Sequence, residues 1–329
     1  MAVVVVRNGQ VAESAVVGQR SMSSSAPATM TDRWHLGSIT KSMTATVAAM
    51  LVEDGLITWD TRPIDVWPEL AQNIDAGFRD ITLRQLLSHT SGMKRDDDCS
   101  CASDSASGTI VQKRRNWADH LLRESPRFTA GEHNYSNVGY VVAGAMLETR
   151  AQSSWESLVQ NRLFVPLGMT HSGFGEPASA GQVDEPWGHW SESSGYSPVA
   201  PGTGGDLRAA MGPAGNAHTT LDDFARYLNA HLDGERGIPG ILSVDSFRTL
   251  HTTVSSNYAL GWNVVPDLQR LGAPGFAHGG SNGRWFAQTW FSPAKSAALL
   301  VVTNGGGDRG GAGIGAADGV IRARIAATP

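Results

Sequence analysis

The first residues, "AVVVVRNGQVAESAVVG", place β-branched runs on either side of Asn8-Gly9, a pair that tolerates positive φ, so the chain is expected to open as a two-stranded hairpin. The period then changes. From Ser38 to about Glu53, Met43, Val47, Met50 and Leu51 repeat at helical spacing, and Gly55 supplies the stop. Helix-sized segments follow from "DTRPIDVWPEL" onward. "TLRQLLSHTSG" reads as a short helix stopped by Gly92, "RNWADHLLRES" as another, "SNVGYVVAGAMLETR" as a long apolar one, and "SSWESLVQNRLFVPLG" as the next.

Near Gly173 the periodicity gives way to a Gly-, Pro-, Ser- and Trp-rich run that lasts to "GPAGN". It is long for a structureless connection and suits the wall of a binding cleft. "TTLDDFARYLNAHLDG" returns to helix, with Thr219 or Thr220 as cap and Asp222 and Asp223 in the first turn. Strand-like pieces come next: "YALGWNVV", "FAHGG", "RWFAQTWFSP" and "SAALLVVTNG", the last pair joined by the turn "SPAKS". The helix "AADGVIRARIAAT" closes the chain.

That order predicts an α/β fold of the α+β type: an antiparallel sheet completed by both chain ends and flanked by helices, with a mostly helical region inserted. The expected division is residues 1–60 with 205–329 for the sheet region and 61–204 for the helical region, the active site lying between them.

With 41% hydrophobic and 17% charged residues, the 329-residue chain has the make-up of an ordinary globular protein. A net charge of -5 gives no global reason to expect nucleic acid or an anionic membrane as partner. The one dense basic run, Lys113 to Arg115, reads as the solvated start of a helix. No secretory leader or membrane span is visible, so the expected location is cytoplasmic, without a membrane anchor. Cys99 and Cys101 are too few for a structural zinc site and too close for an unstrained disulfide, and are read as surface thiols.

Three short motifs carry the candidate chemistry. Ser38 and Lys41 stand one helical turn apart on one face, where a partly neutral amine can take the serine proton. Alone, S-x-x-K carries little weight. Tyr135-Ser136-Asn137 precedes an apolar helix: the phenol can pass a proton and Asn137 can bind Lys41 and a substrate carbonyl, although Asn137 can equally cap the helix. His278-Gly279-Gly280-Ser281 precedes a strand, and its glycines permit close backbone approach to a ligand; a turn histidine is the alternative.

In this order the three motifs resemble those of the serine β-lactamase and penicillin-binding protein superfamily, most closely its class C-like branch with the family VIII carboxylesterases and D-aminopeptidase or DD-peptidase relatives. "LGSITKSMTA", "ITLRQLLSHTSGM", "NYSNVGYVVAGAMLE", "LFVPLGMTHSGFG" and "VVTNG" extend the likeness over essentially the whole chain. The resemblance implies Ser38 as acylated nucleophile, Lys41 as its activating partner, Tyr135 as proton relay and Asn137 as substrate-orienting amide. It also implies an oxyanion hole from the backbone N–H groups of Ser38 and Ser281. It implies no cofactor and no metal. Asp32, Trp34, His35 and His89 lie near the motifs and are read as structural.

His278 falls where many lactamases and DD-peptidases have lysine. A mostly neutral histidine favours neutral esters over substrates bearing a carboxylate, while still able to donate a hydrogen bond. Trp187, Trp190 and Trp285 are candidates for an apolar acyl or alcohol pocket. The resemblance also implies a helix ahead of the first strand. Met1 stands almost inside that strand, so the corresponding face is expected to be bare, covered by another subunit, or completed by further sequence.

The expected activity is a carboxylesterase working on a small-molecule ester. D-amino-acid peptidase, amidase or DD-peptidase action is the alternative, β-lactamase action a lesser one, and an inactive binder of peptidoglycan fragments the non-enzyme reading.

Overall fold

The computed structural model describes residues 1–97, 100, 103 and 106–327. Cys99 and Cys101 lie outside the described residues. Strands β1 (Ala2–Arg7) and β2 (Gln10–Val16) form the expected hairpin, with Asn8 and Gly9 both at positive φ in the turn. Strand β3 (Trp34–His35) leads through a 3-10 turn, Gly37–Ile39, into α1 (Thr40–Glu53), which ends before Gly55 at φ +72°. Every residue of α1 from Thr40 to Leu51 is buried, Lys41 included, because the helix is apolar or small on all its faces.

The helical region holds α2 (Pro63–Val66), α3 (Leu83–Leu87), α4 (Ile110–Arg123), α5 (Asn137–Ala151), α6 (Trp155–Val159) and α7 (Val165–Leu167). Helix α3 stops well before Gly92, because His89 already turns left-handed at φ +62°. The basic run is not solvated throughout: Arg114 is fully buried, its guanidinium shared between Glu148 and Glu156 and bonded to the Ala210 carbonyl at 3.1 Å.

The Gly/Pro-rich stretch contains β4 (Gly173–Phe174), a small hairpin of β5 (His189–Glu192) and β6 (Gly195–Pro198), the turn-like α8 (Gly212–Gly215) and β7 (Ala217–Thr219). Helix α9 (Leu221–Glu235) follows, capped by Thr220, whose hydroxyl accepts from the Asp223 N–H at 3.3 Å. A short helix, α10 (Val244–His251), was not expected. Then come β8 (Asn263–Leu268), β9 (Ala273–Ser281), β10 (Phe286–Ser292), β11 (Ala297–Thr303) and α11 (Gly307–Ala327), which starts earlier than its apolar pattern suggested. "YALGW" is not strand: Gly261 at φ +79° turns the chain there, and a Cβ on it would lie 2.9 Å from the Lys41 carbonyl.

One antiparallel sheet runs β2-β1-β11-β10-β9-β8, so both chain ends complete it. Strand β11 is buried on both faces. Ala298, Leu300 and Val302 join the core with α9, while Ala297, Leu299 and Val301 pack with Ile314 and Ile325 of α11. Each fully buried leucine there stabilises the fold by roughly 1.5–3 kcal/mol. No helix among the described residues is long and apolar enough to cross a membrane.

Candidate active site

Ser38 sits half-buried in the 3-10 turn at the mouth of α1, following Gly37 at φ +52°. The turn is pressed against the end of β9. A Cβ on Gly37 would lie 2.8 Å from the Gly280 carbonyl carbon and would overlap the Ser281 nitrogen; one on Gly280 would overlap the Leu36 carbonyl and lie 2.9 Å from the Ser38 nitrogen. Glycine at both positions therefore lets the two backbones meet.

One turn on, Lys41 points at the serine. Its Nζ lies 3.0 Å from Ser38 Oγ, 2.7 Å from Asn137 Oδ1 and 2.7 Å from the Ala214 carbonyl. Burial holds its pKa well below the usual lysine value; the Asp96 carboxylate works the other way and the Arg95 guanidinium adds to the depression. In the neutral amine, two N–H bonds serve the two carbonyl acceptors and the lone pair is left for the Ser38 hydroxyl.

Tyr135 and Asn137 come from the entrance of α5. Ser136, not Asn137, caps that helix: its hydroxyl accepts from the Gly139 N–H at 2.9 Å and donates to the Lys94 carbonyl at 2.7 Å. Asn137 is thereby free to reach Lys41. The Tyr135 ring centroid is 4.8 Å from Lys41 Nζ and 4.3 Å from the His89 ring. Burial pushes the Tyr135 phenol up to about 12, against the hydrogen bond it shares with Ser38. His89 Nδ1 accepts the Ser136 N–H at 3.1 Å, so this histidine braces the second motif.

Four of the six candidate residues, Ser38, Lys41, Tyr135 and Asn137, thus meet through their side chains. The other two contribute differently. Ser281 brings its backbone to Gly37, while its hydroxyl is spent on the Trp285 carbonyl at 2.8 Å and the Gly283 N–H at 3.0 Å. His278 is buried with both ring nitrogens engaged: Nδ1 donates to the Gly279 carbonyl at 2.6 Å, and Nε2 accepts from the Tyr258 hydroxyl at 3.0 Å. Burial, helped by the nearby Lys41 charge, lowers its pKa to about 4. The donor imagined for His278 is therefore already engaged, and Tyr258, which the sequence did not single out, fixes the ring.

The tryptophan pocket is also revised. Trp285 is buried and stacks on His35, centroids 5.3 Å apart, and Trp187 donates to the Gln182 carbonyl at 2.6 Å. Trp190 alone is exposed, beneath the Arg284 guanidinium. His35 has a part in the turn itself, since its Nδ1 accepts the Gly37 N–H at 3.1 Å and its Nε2 lies 3.1 Å from Asp206 Oδ1. Away from Ser38, the carboxylates of Asp97 and Glu124 and the ring of His120 stand at metal-like spacing, but the Lys94 ammonium pairs with both carboxylates at 2.7 and 2.5 Å.

Known proteins resemble this chain over most of its length. The family model described as Beta-lactamase matches residues 1–319. The chain belongs to the beta-lactamase family. It is 30% identical over 287 residues to "Penicillin-binding protein 4" of Amycolatopsis lactamdurans, covering 82% of this chain and 71% of that protein. It is 22% identical to "Protein flp" of Staphylococcus aureus (strain N315), covering 92% of this chain but 59% of that relative, so the chain spans less than two thirds of flp. The penicillin-binding protein of Bacillus halodurans has the same fold, with a TM-score of 0.76, 20% identity and coverage of 97% and 95% of the two chains. The beta-lactamase family assignment makes this a serine hydrolase of the penicillin-binding-protein-like kind.

Proposed function

We propose that the chain is a carboxylesterase that cleaves small to medium-sized carboxylic esters through an acyl-enzyme on Ser38. The observation that carries this reading is the contact set of Lys41, a buried amine 3.0 Å from Ser38 Oγ whose other neighbours are two carbonyl acceptors. Such an amine is a base for the serine rather than one half of a direct ion pair.

In the first stage Ser38 Oγ bonds to the ester carbonyl carbon while its proton passes to Lys41 Nζ. The N–H groups of Ser38 and Ser281 hold the oxyanion. As the C–O bond to the alcohol breaks, the proton returns to the departing oxygen by way of the Tyr135 phenol. Water then adds to the acyl carbon and gives a proton to the same relay. The acid leaves as Ser38 is reprotonated. Asn137 orients Lys41 by accepting its N–H at Oδ1, and His278 holds the strand end through Tyr258 without touching the reacting atoms.

Ester preference is supported by the state of the third motif. With His278 neutral and its N–H spent on Gly279, this motif offers no side-chain cation to hold a substrate carboxylate. An ester needs none.

The test compares turnover and intact-protein mass with 4-nitrophenyl butyrate, benzylpenicillin and D-alanine 4-nitroanilide, using Ser38→Ala as control. Rapid ester turnover that Ser38→Ala abolishes, with slow or stable penicillin labelling, is expected. Faster turnover of the D-alanine amide would replace the esterase with an amidase, and inertness toward all three would leave a ligand-binding protein.

A further inference from the structure

Asn137 is gripped from both ends. Its Oδ1 takes the Lys41 ammonium or amine at 2.7 Å, and its Nδ2 donates to Asp96 Oδ1 at 2.6 Å. A carboxylate only accepts, so Asp96 fixes which way the amide faces. Asp96 is half exposed, yet the backbone around it is anchored. The Arg95 carbonyl accepts the Asn137 N–H at 2.7 Å, the Lys94 carbonyl accepts from Ser136 Oγ, and Asp97 accepts from Trp117 Nε1 at 2.9 Å. The remaining oxygen, Asp96 Oδ2, lies 3.3 Å from Arg95 Nε.

We infer that Asp96 is a specificity-determining residue that selects against acyl groups carrying a hydrogen-bond acceptor beside the scissile carbonyl. The inference rests on the ester-hydrolase reading above. One Nδ2 hydrogen of Asn137 is spent on Asp96. A substrate carbonyl approaching the other hydrogen meets the negative carboxylate, so the amide that would otherwise bind it is both partly occupied and electrostatically guarded. Plain alkanoyl esters make no such demand. Acylamido esters do, and they lose the contact. Asp96 acts through Asn137 and not on the reacting atoms.

The experiment keeps the scissile bond constant. 4-Nitrophenyl propionate is compared with the 4-nitrophenyl esters of N-acetyl-D-alanine and N-acetyl-L-alanine, with Ser38→Ala rates subtracted. The quantity read is the ratio of kcat/KM for the acetamido ester to that for the propionyl ester, which does not depend on the fraction of correctly folded enzyme. Asp96→Ala is expected to raise this ratio about five- to tenfold for one enantiomer or both, the worth of one hydrogen bond. Asp96→Asn, which keeps an acceptor but loses the charge, falls between. In Asp96→Ala/Asn137→Ala the gain disappears. A ratio unchanged in Asp96→Ala, or a gain that persists in the double variant, overturns the inference while leaving the hydrolase standing. A wild-type protein inert toward all three esters overturns the hydrolase and the inference with it.

Discussion

Replacing Arg114 with Met should destabilise the protein far more than its place in a basic surface-like run suggests. The side chain is fully buried, and its guanidinium bonds Glu148 of α5, Glu156 of α6 at 2.7 Å and the Ala209 and Ala210 carbonyls at 3.3 and 3.1 Å. Met fills much of the volume but leaves Glu148 buried without its cation. Truncating one partner of a buried pair costs about 3–5 kcal/mol. With an unfolding entropy of about 2.1 cal/mol/K per residue, this corresponds to a Tm lower by about 4–7 °C.

The pH dependence has a definite sign. Burial raises the Glu148 carboxyl and Arg114 pulls it back down, so removing Arg114 raises it further. A folded-state carboxyl raised above its unfolded value contributes stability that is present below the unfolded pKa and lost as pH rises through the folded one. The deficit of Arg114→Met is therefore smaller at about pH 5 than at about pH 8. Thermal and urea unfolding of the wild type, Arg114→Met and Arg114→Met/Glu148→Leu at both pH values decide the matter. The double variant should recover most of the loss, because an apolar pair removes the orphaned charge. A single-variant loss under about 1 kcal/mol, or one equal at both pH values with no recovery in the double variant, would refute the account.

Three further expectations concern activity. Because burial favours the neutral Lys41 amine, ester kcat/KM should rise with pH and level off well below 10.5, and Lys41→Met should lower it about 10²–10⁴-fold; a rise centred on lysine's ordinary value would show that burial does not tune the base. His278, at about 4, should add no limb near neutrality, so a limb around an ordinary histidine value that vanishes in His278→Gln would contradict its placement. Gly280→Ala should cost about 10²–10³-fold in kcat, since its methyl group would displace the Ser38 and Leu36 backbone, whereas at Gly279 the nearest atom to a new Cβ is the Ala287 carbonyl at 4.0 Å. Equal losses in Gly279→Ala and Gly280→Ala, measured as kcat per titrated active site, would remove the case for backbone contact.

What could be read from the chain alone was what local rules encode. Asn8-Gly9 makes a hairpin by its own φ preference, α1 follows from spacing, and S-x-x-K puts Ser38 and Lys41 on one face whatever else the chain does. Helix α10 escaped notice because eight residues give little periodic signal, and "YALGW" passed for strand because an apolar run hides the positive φ of Gly261. Arg114 looked solvated because its partners lie 34 and 42 residues away. The same holds for His278, whose Nε2 meets the Tyr258 hydroxyl across 20 residues, and for Asp96, which meets Asn137 across 41 residues. Charge pairing at that distance leaves no pattern in a single sequence.

Activation and selection share one residue in this arrangement. Asp96 reaches Lys41 through the Asn137 amide, and its carboxylate is also the leading influence that works against burial and favours the charged amine. Arg95, 3.3 Å from that carboxylate, acts on the amine with the opposite sign. Removing the Asp96 charge would free the amide for a substrate carbonyl and at the same time make Lys41 easier to deprotonate, so selectivity and the acid limb of the rate should shift together. The carboxylate that narrows the acyl group thus also sets how much of the base is ready at a given pH, and the two cannot be tuned separately at this position. A chain that kept Ser38, Lys41 and Tyr135 but lost Asp96 would retain the acyl-transfer apparatus and differ in what it accepts, which locates substrate choice in the segment after α3 rather than in the nucleophile.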